Sequence, residues 1–338
     1  MKDLSYLTDS YDEKIEQIRA LNPDLSFVFI TDMHNRMNEF ARDDLHMNYP
    51  YGVECAADAI DSIQYILDRV PNIRCVVCGG DIGNDYHPDP KTVRASYREV
   101  MDAFYRLSVP THCCIGNHDP ATATFYLDHV PGVCYHVSPA EMHEICMKCN
   151  PTDKNYYYTD FEGTDYRFVF LNDTDGPAAI NEEGQYVYPW DMMISNEQAE
   201  WFEKVALATE RRIIVFSHAP LHNAGIFGTE GLPLGIKPYD DTVGAPRVYE
   251  AIRKSPNVLA TFAGHVHYDN IYYDDRLLTV TTLCSLVQEW VPGVPKRRPG
   301  TPTETAFDVV SFVGNVAYLT RFGAGADRVG HMLKAYKV

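Results

Sequence analysis

Short apolar runs alternate with stretches of helical spacing along most of this chain. "SFVFITDMH" opens as an apolar strand, and "ECAADAIDSIQYILDRV" follows with Ala56, Ile60, Ile63 and Leu67 at helical spacing. The pattern repeats: "IRCVVCGGD" predicts a strand, "TVRASYREVMDAFYRL" a helix, and "THCCIGNHD" another strand. Near-continuous apolar strands joined by helical crossovers indicate a sheet buried on both faces.

The middle of the chain changes character. "YYYTDFEGTDYRFVFLND" predicts a hairpin turning at Glu162 to Asp165, and "SNEQAEWFEKVAL" a helix capped by Ser195 and presenting Trp201 to the core. "RRIIVFSHAP" and "NVLATFAGHVH" return to buried strands. Beyond them, "NIYYDDRLLTVTTL" and "FDVVSFVGNVAYLTRFG" alternate with period two around Asp-Asp and Gly-Asn turns. These two C-terminal hairpins, within residues 270–322, are expected to complete a second sheet supplied by the second half of the chain. Neither a repeat nor a long linker interrupts residues 1–338, which read as one domain.

Five strand ends carry residues that bind metals: Asp32-Met33-His34, Gly80-Asp81, Gly116-Asn117-His118-Asp119, His218, and Gly264-His265-Val266-His267. Ligands of such folds gather at strand ends. Residues two apart on an extended backbone point the same way, so His265 and His267 are expected to address one point. Carboxylates, an amide and imidazoles without thiolate suit Mn, Fe or Zn. Seven candidate ligands exceed the roughly four to six positions of one ion, so two metals sharing a bridging carboxylate account for them better.

In this order, D-x-H, G-D, G-N-H-D, a lone His and G-H-x-H resemble the calcineurin-like metallophosphoesterases, with the motifs spanning residues 32–267. The resemblance implies a four-layer αββα sandwich, an α/β fold of two mixed sheets flanked by helices. It further implies that Asp32, His34 and His267 hold one divalent or trivalent metal ion, that Asn117, His218 and His265 hold another, and that Asp81 bridges them. His118 matches the histidine that assists the leaving oxygen, and Asp119 its orienting neighbour. The implied activity is hydrolysis of a small phosphodiester or phosphomonoester by a metal-bridging hydroxide. A nucleotide pyrophosphatase or nuclease on the same scaffold is an alternative, as is a catalytically silent metal-binding protein. Asn84 stands where purple acid phosphatases carry a tyrosine, and "GNHDP" differs from the G-N-H-E of protein serine/threonine phosphatases.

Charge narrows the partners. The 338 residues include 29 Lys and Arg against 47 Asp and Glu, a formal charge of -18 that disfavours long nucleic acid. Neither a secretory signal nor an apolar run of membrane-spanning length is evident, so no membrane association is expected. Nine cysteines lie mostly within apolar runs, which fits reduced thiols and a cytoplasmic setting. Cys75 with Cys78 read as core, and Cys146 with Cys149 as packing on a helix face.

Some residues are left without a part in the chemistry. The long loops 35–52 and 221–242 are candidates for substrate recognition. His112, His222, Met37, Tyr49, Tyr51 and Phe227 read as packing. Arg321 and Arg328 flank a glycine-rich turn and read as a surface ion pair in preference to a phosphate clamp.

Overall fold

The computed structural model describes residues 4–35, 53–83, 89–121, 136–176, 179–180, 186–187, 193–221, 245–286, 295–298 and 300–335. Loop residues 36–52 and 222–242 lie outside these, as do Asn84 and, of the residues read above as packing beside the motifs, His222, Met37, Tyr49, Tyr51 and Phe227.

The first half follows the strand–helix alternation. After helix α1 (Ser5–Leu21) come β1 (Leu25–Ile30), α2 (Val53–Leu67), β2 (Ile73–Cys78), α3 (Pro90–Phe104), β3 (Thr111–Cys113) and α4 (Pro139–Cys146). β1, β2 and β3 are parallel neighbours. The second half supplies β4 (Tyr157–Asp160), β5 (Tyr166–Phe170), a small ladder of β6 (Ala179–Ile180) and β7 (Tyr186–Val187), then α5 (Asn196–Trp201), which runs on into a π-helical turn. β8 (Arg212–Phe216), α6 (Ala245–Lys254), β9 (Val258–Ala263), β10 (Asn270–Asp274) and β11 (Leu277–Thr281) follow. The chain then forms β12 (Ala306–Val313), β13 (Val316–Gly323) and β14 (Arg328–His331).

Two six-stranded mixed sheets result, ordered β14-β13-β12-β1-β2-β3 and β10-β11-β9-β8-β5-β4. The hairpin of β10 and β11 joins the second sheet as expected. The β12–β13 hairpin does not: it pairs antiparallel with β1, Leu25 opposite Phe312, and so completes the first sheet. Its alternating pattern defines a hairpin, but the open edge of β1 decides where it docks.

The sheets meet face to face through aromatic side chains. The Phe27 ring of β1 lies 5.0 Å from Phe168 and 5.5 Å from both Phe216 and Phe262 on the opposing sheet. On the outer face of the first sheet, Tyr11, Ile63, Tyr97 and Ile145 of α1 to α4 are buried in one core cluster. On the other side, Ala199, Phe202, Val248 and Ile252 cover Val169, Ile213 and Val215. The layers are therefore helices, sheet, sheet, helices. Ser195 caps α5 by accepting from the Gln198 N–H, and Trp201 packs half-buried against Tyr156.

The cysteines sit largely as their apolar context implies. Cys75, Cys78 and Cys146 are buried, Cys149 is half-buried, and these four, like Cys113, Cys114 and Cys284, are free thiols. His112 is core too, stacked on Phe170 with Nδ1 2.9 Å from the Tyr157 hydroxyl.

Candidate metal centre

All five motifs leave the C-terminal ends of parallel strands and turn sharply at once. Asp32, His34, Asp81, His265 and His267 all have positive φ, between 43° and 66°. This left-handed conformation is strained for such residues and persists only where the surroundings enforce it. Here the enforcement is backbone pairing and close approach. Asp32 N–H donates to Gly80 O at 3.0 Å, His34 N–H to Asp81 O at 2.9 Å, and Gly264 N–H to His218 O at 2.8 Å. At Gly116 a Cβ would fall 2.1 Å from Asp81 Oδ1, so glycine lets that loop reach the carboxylate.

The same turns correct one expectation. His265 and His267 lie beyond β9, and their left-handed backbones send the rings to different places. His265 Nδ1 is 2.9 Å from Asn117 Oδ1. His267 Nε2 is 3.1 Å from both Asp32 Oδ1 and His34 Nε2.

Two donor groups form in consequence. Asp32, His34, Asp81 and His267 make one, and Asp81, His218 and His265 the other. Asn117 joins the second, its Oδ1 3.1 Å from His218 Nε2. Asp81 belongs to both: its Oδ2 is 3.7 Å from His34 Nε2 and 3.2 Å from His218 Nε2. These spacings fit cations, since bonds of about 2.1 Å at right angles put adjacent donors about 3.0 Å apart.

Supporting bonds fix how the rings face. A carbonyl can only accept, so His218 Nδ1, 2.8 Å from Gly79 O, carries its hydrogen there and turns Nε2 toward Asp81. Asp32 is held by the His265 N–H at 3.1 and 3.0 Å and by the Thr31 hydroxyl at 2.7 Å. Asp119 accepts from the N–H groups of Asp81, Ile82 and Gly116 at 3.0, 2.8 and 2.7 Å. It thus braces the loop carrying Asp81 and reaches His118 through the backbone. The half-buried His118 ring packs 5.0 Å from His34, and the backbone N–H of His118 donates to Asp81 Oδ1 at 2.9 Å.

Charge states follow from this packing. Burial would raise Asp32, but His267 and His218 hold it at about 2. Burial likewise opposes ionisation of Asp81, yet His218 and His118 keep it well below the usual carboxylate range. Burial drives His34 and His265 down to about 3, leaving neutral rings able to donate an electron pair. His218 is the exception: despite burial, the charge and hydrogen bond of Asp81 raise it to about 10.

Two groups escaped the sequence reading. The Cys284 thiol donates to Asp32 O at 2.7 Å and stands with His34 and His267, their candidate donor atoms mutually within 4.8 Å. Nothing in "TTLCSL" signals this, because Cys284 arrives from the turn after β11. Asp173, buried just past β5, accepts from the Ala219 N–H at 2.5 Å, and burial pushes it up to about 6. Its place just past a strand was a usable clue.

The sequence matches the calcineurin-like phosphoesterase family over residues 25–269, and the chain belongs to that family. Membership brings metal-dependent phosphoester hydrolysis as the general chemistry. No curated protein matches the sequence. Among solved structures, a dimetal phosphatase from Danio rerio is similar, with 17% identity, a TM-score of 0.60, and coverage of 92% of this chain and 99% of that one. An anchor of the Plasmodium inner membrane complex shares 11% identity over 90% of each chain, with a TM-score of 0.42. A Thermus thermophilus sulfate thiohydrolase shares 10% identity over 92% of this chain and 57% of that one, with a TM-score of 0.44. The likeness to the Danio rerio protein is one of fold. Among the described residues, no helix is long and apolar enough to cross a membrane.

Proposed function

We propose that this protein is a dinuclear metallophosphoesterase acting on a small phosphodiester or phosphomonoester. The observation that carries the reading is Asp81, whose single Oδ2 faces an imidazole of each donor group. In this reading Asp32, His34 and His267 would hold one ion, Asn117, His218 and His265 the other, and Asp81 would bridge them. A pair of cations bound there supplies charge neutralisation at the phosphoryl oxygens and acidifies water.

The chain's own residues do the rest. Asp119 and Thr31 keep the two central carboxylates oriented, and the Gly79 carbonyl keeps His218 aimed. His118, half-buried at the edge of the site, gives a proton to the departing oxygen. One continuous catalytic unit serves the reaction, because both sheets contribute donors. We place the protein in the cytoplasm, where its free thiols stay reduced.

The test is hydrolysis of bis(p-nitrophenyl) phosphate and p-nitrophenyl phosphate by metal-stripped protein, with Mn, Fe or Zn restored singly. Metal-dependent cleavage is expected, and preference for the diester would direct the search for a substrate toward phosphodiesters. His118→Ala should keep its metals and lose about 10²- to 10⁴-fold in turnover. Two bound metals with no cleavage of either ester would sink the assignment.

A further inference from the structure

Arg321 and Arg328 have no part in the chemistry above, yet the first is buried and the second half-buried. Arg321 is 0% exposed. Its Nε donates to Asp308 Oδ1 at 2.9 Å, and its Nη2 to Thr282 Oγ1 at 2.9 Å and Asp269 Oδ1 at 2.6 Å. Arg328 donates to Thr281 O at 2.7 Å, pairs with Asp308, and lies 3.2 Å from Asp269 Oδ1. The sequence expectation of an ion pair holds, but its surface placement does not.

Three members of this cluster, Asp308, Arg321 and Arg328, come from the first sheet. Asp269 comes from the second, two residues after His267. Its Oδ1 also receives the Leu283 N–H at 3.1 Å, while the Thr281 hydroxyl donates to Tyr268 O at 2.8 Å. The turn that carries His265 and His267 is therefore tied at its far end to the opposite sheet. Glycine keeps this junction open: a Cβ at Gly325 would sit 3.1 Å from Asp269 Oδ2 and 3.3 Å from Arg321 Nη1.

Burying charges is a poor way to gain stability, because desolvation costs several kcal/mol per ion; fixing registry is a better-attested use. We propose that Arg321 and Arg328 are positioning residues for His267. By clamping Asp269 they hold the left-handed turn that aims the imidazole at Asp32 and His34. This inference rests on His267 being a metal ligand, as read above.

The test is Asp269→Asn, which keeps the side-chain shape and removes the charge from the clamp. Mn binding to the stripped protein should weaken 10- to 100-fold for one equivalent while the other binds as in wild type. Hydrogen exchange of the metal-free protein should quicken across residues 264–270 and stay unchanged across β12. Wild-type affinity for both equivalents with wild-type exchange would overturn the proposal, as would equal loss at both sites with faster exchange in β12. If the wild-type protein binds no metal, the proposed function fails, whereas the exchange comparison still decides whether the clamp holds the turn. Arg328→Gln gives the same readings should Asp269→Asn not fold.

Discussion

Adding one methyl group at Gly264 should disable the centre. A Cβ there would lie 2.1 Å from Thr31 Oγ1 and 2.3 Å from Asp32 Oδ2, where ordinary contact begins at 3.4 Å. Thr31 can turn its hydroxyl away, but Asp32 must retreat by about 1.1 Å, the shortfall from that contact distance. The backbones cannot share the move, because β1 and β9 are fully buried strands of separate sheets. A retreat of that size separates Asp32 Oδ1 from His267 Nε2, now 3.1 Å away. Misplacement by about 1 Å costs about 100-fold in rate, and overpacking a core costs about 1–3 kcal/mol. Gly264→Ala should therefore lose about 100-fold in Mn-dependent diester hydrolysis, with weaker metal binding by calorimetry and a lower urea midpoint. Gly163→Ala is the control: its φ of +76° is strained for alanine, but nothing lies within 4 Å. It should cost about 1 kcal/mol and leave the rate unchanged. Gly264→Ala within threefold of wild type in rate and metal affinity would refute the packing argument.

Two more predictions address the bridge and the core. Asp81→Asn should leave substoichiometric metal at both positions, whereas His265→Ala should keep one equivalent, as read by elemental analysis after dialysis; two equivalents retained by Asp81→Asn would remove the bridge. Burial holds His112 at about 4 against an ordinary 6.5, so between these values the unfolded chain binds a proton that the native protein refuses. Stability should fall as pH drops from 6.5 to about 4, by about 3 kcal/mol from this residue. The stability gap between wild type and His112→Gln in urea should shrink across that window, and a constant gap would contradict the assignment.

Most of the frame and nearly all of the candidate centre were legible in the sequence. Buried parallel strands require apolar runs, and polar residues at their ends stand out against those runs. What stayed hidden depended on geometry that periodicity does not carry. The left-handed backbones of His265 and His267 reverse the sense of an i, i+2 argument, which assumes extended chain. Arg321 was misplaced because a charged residue in an alternating strand looks solvent-facing until both of its carboxylate partners are known. The β12–β13 hairpin was recognised but assigned to the wrong sheet, since an open edge belongs to the assembled fold. Cys284 reaches the centre from a turn with no motif of its own.

The pairing of β1 with β12 also sets an order on how the protein can be made. As the chain leaves the ribosome, β1 appears long before β12, the strand that closes its free edge. Until then that edge stays unpaired, and Phe27 lacks the Phe312 ring that packs 5.7 Å from it. Pairings so distant in sequence form slowly and leave apolar surface open meanwhile. A nascent chain stalled before β12 should thus be a client for chaperones, and it would lack Asp308, Arg321 and Arg328 as well. The centre would then be completed only once the segment bearing β12 to β14 brings its clamp to the histidine turn.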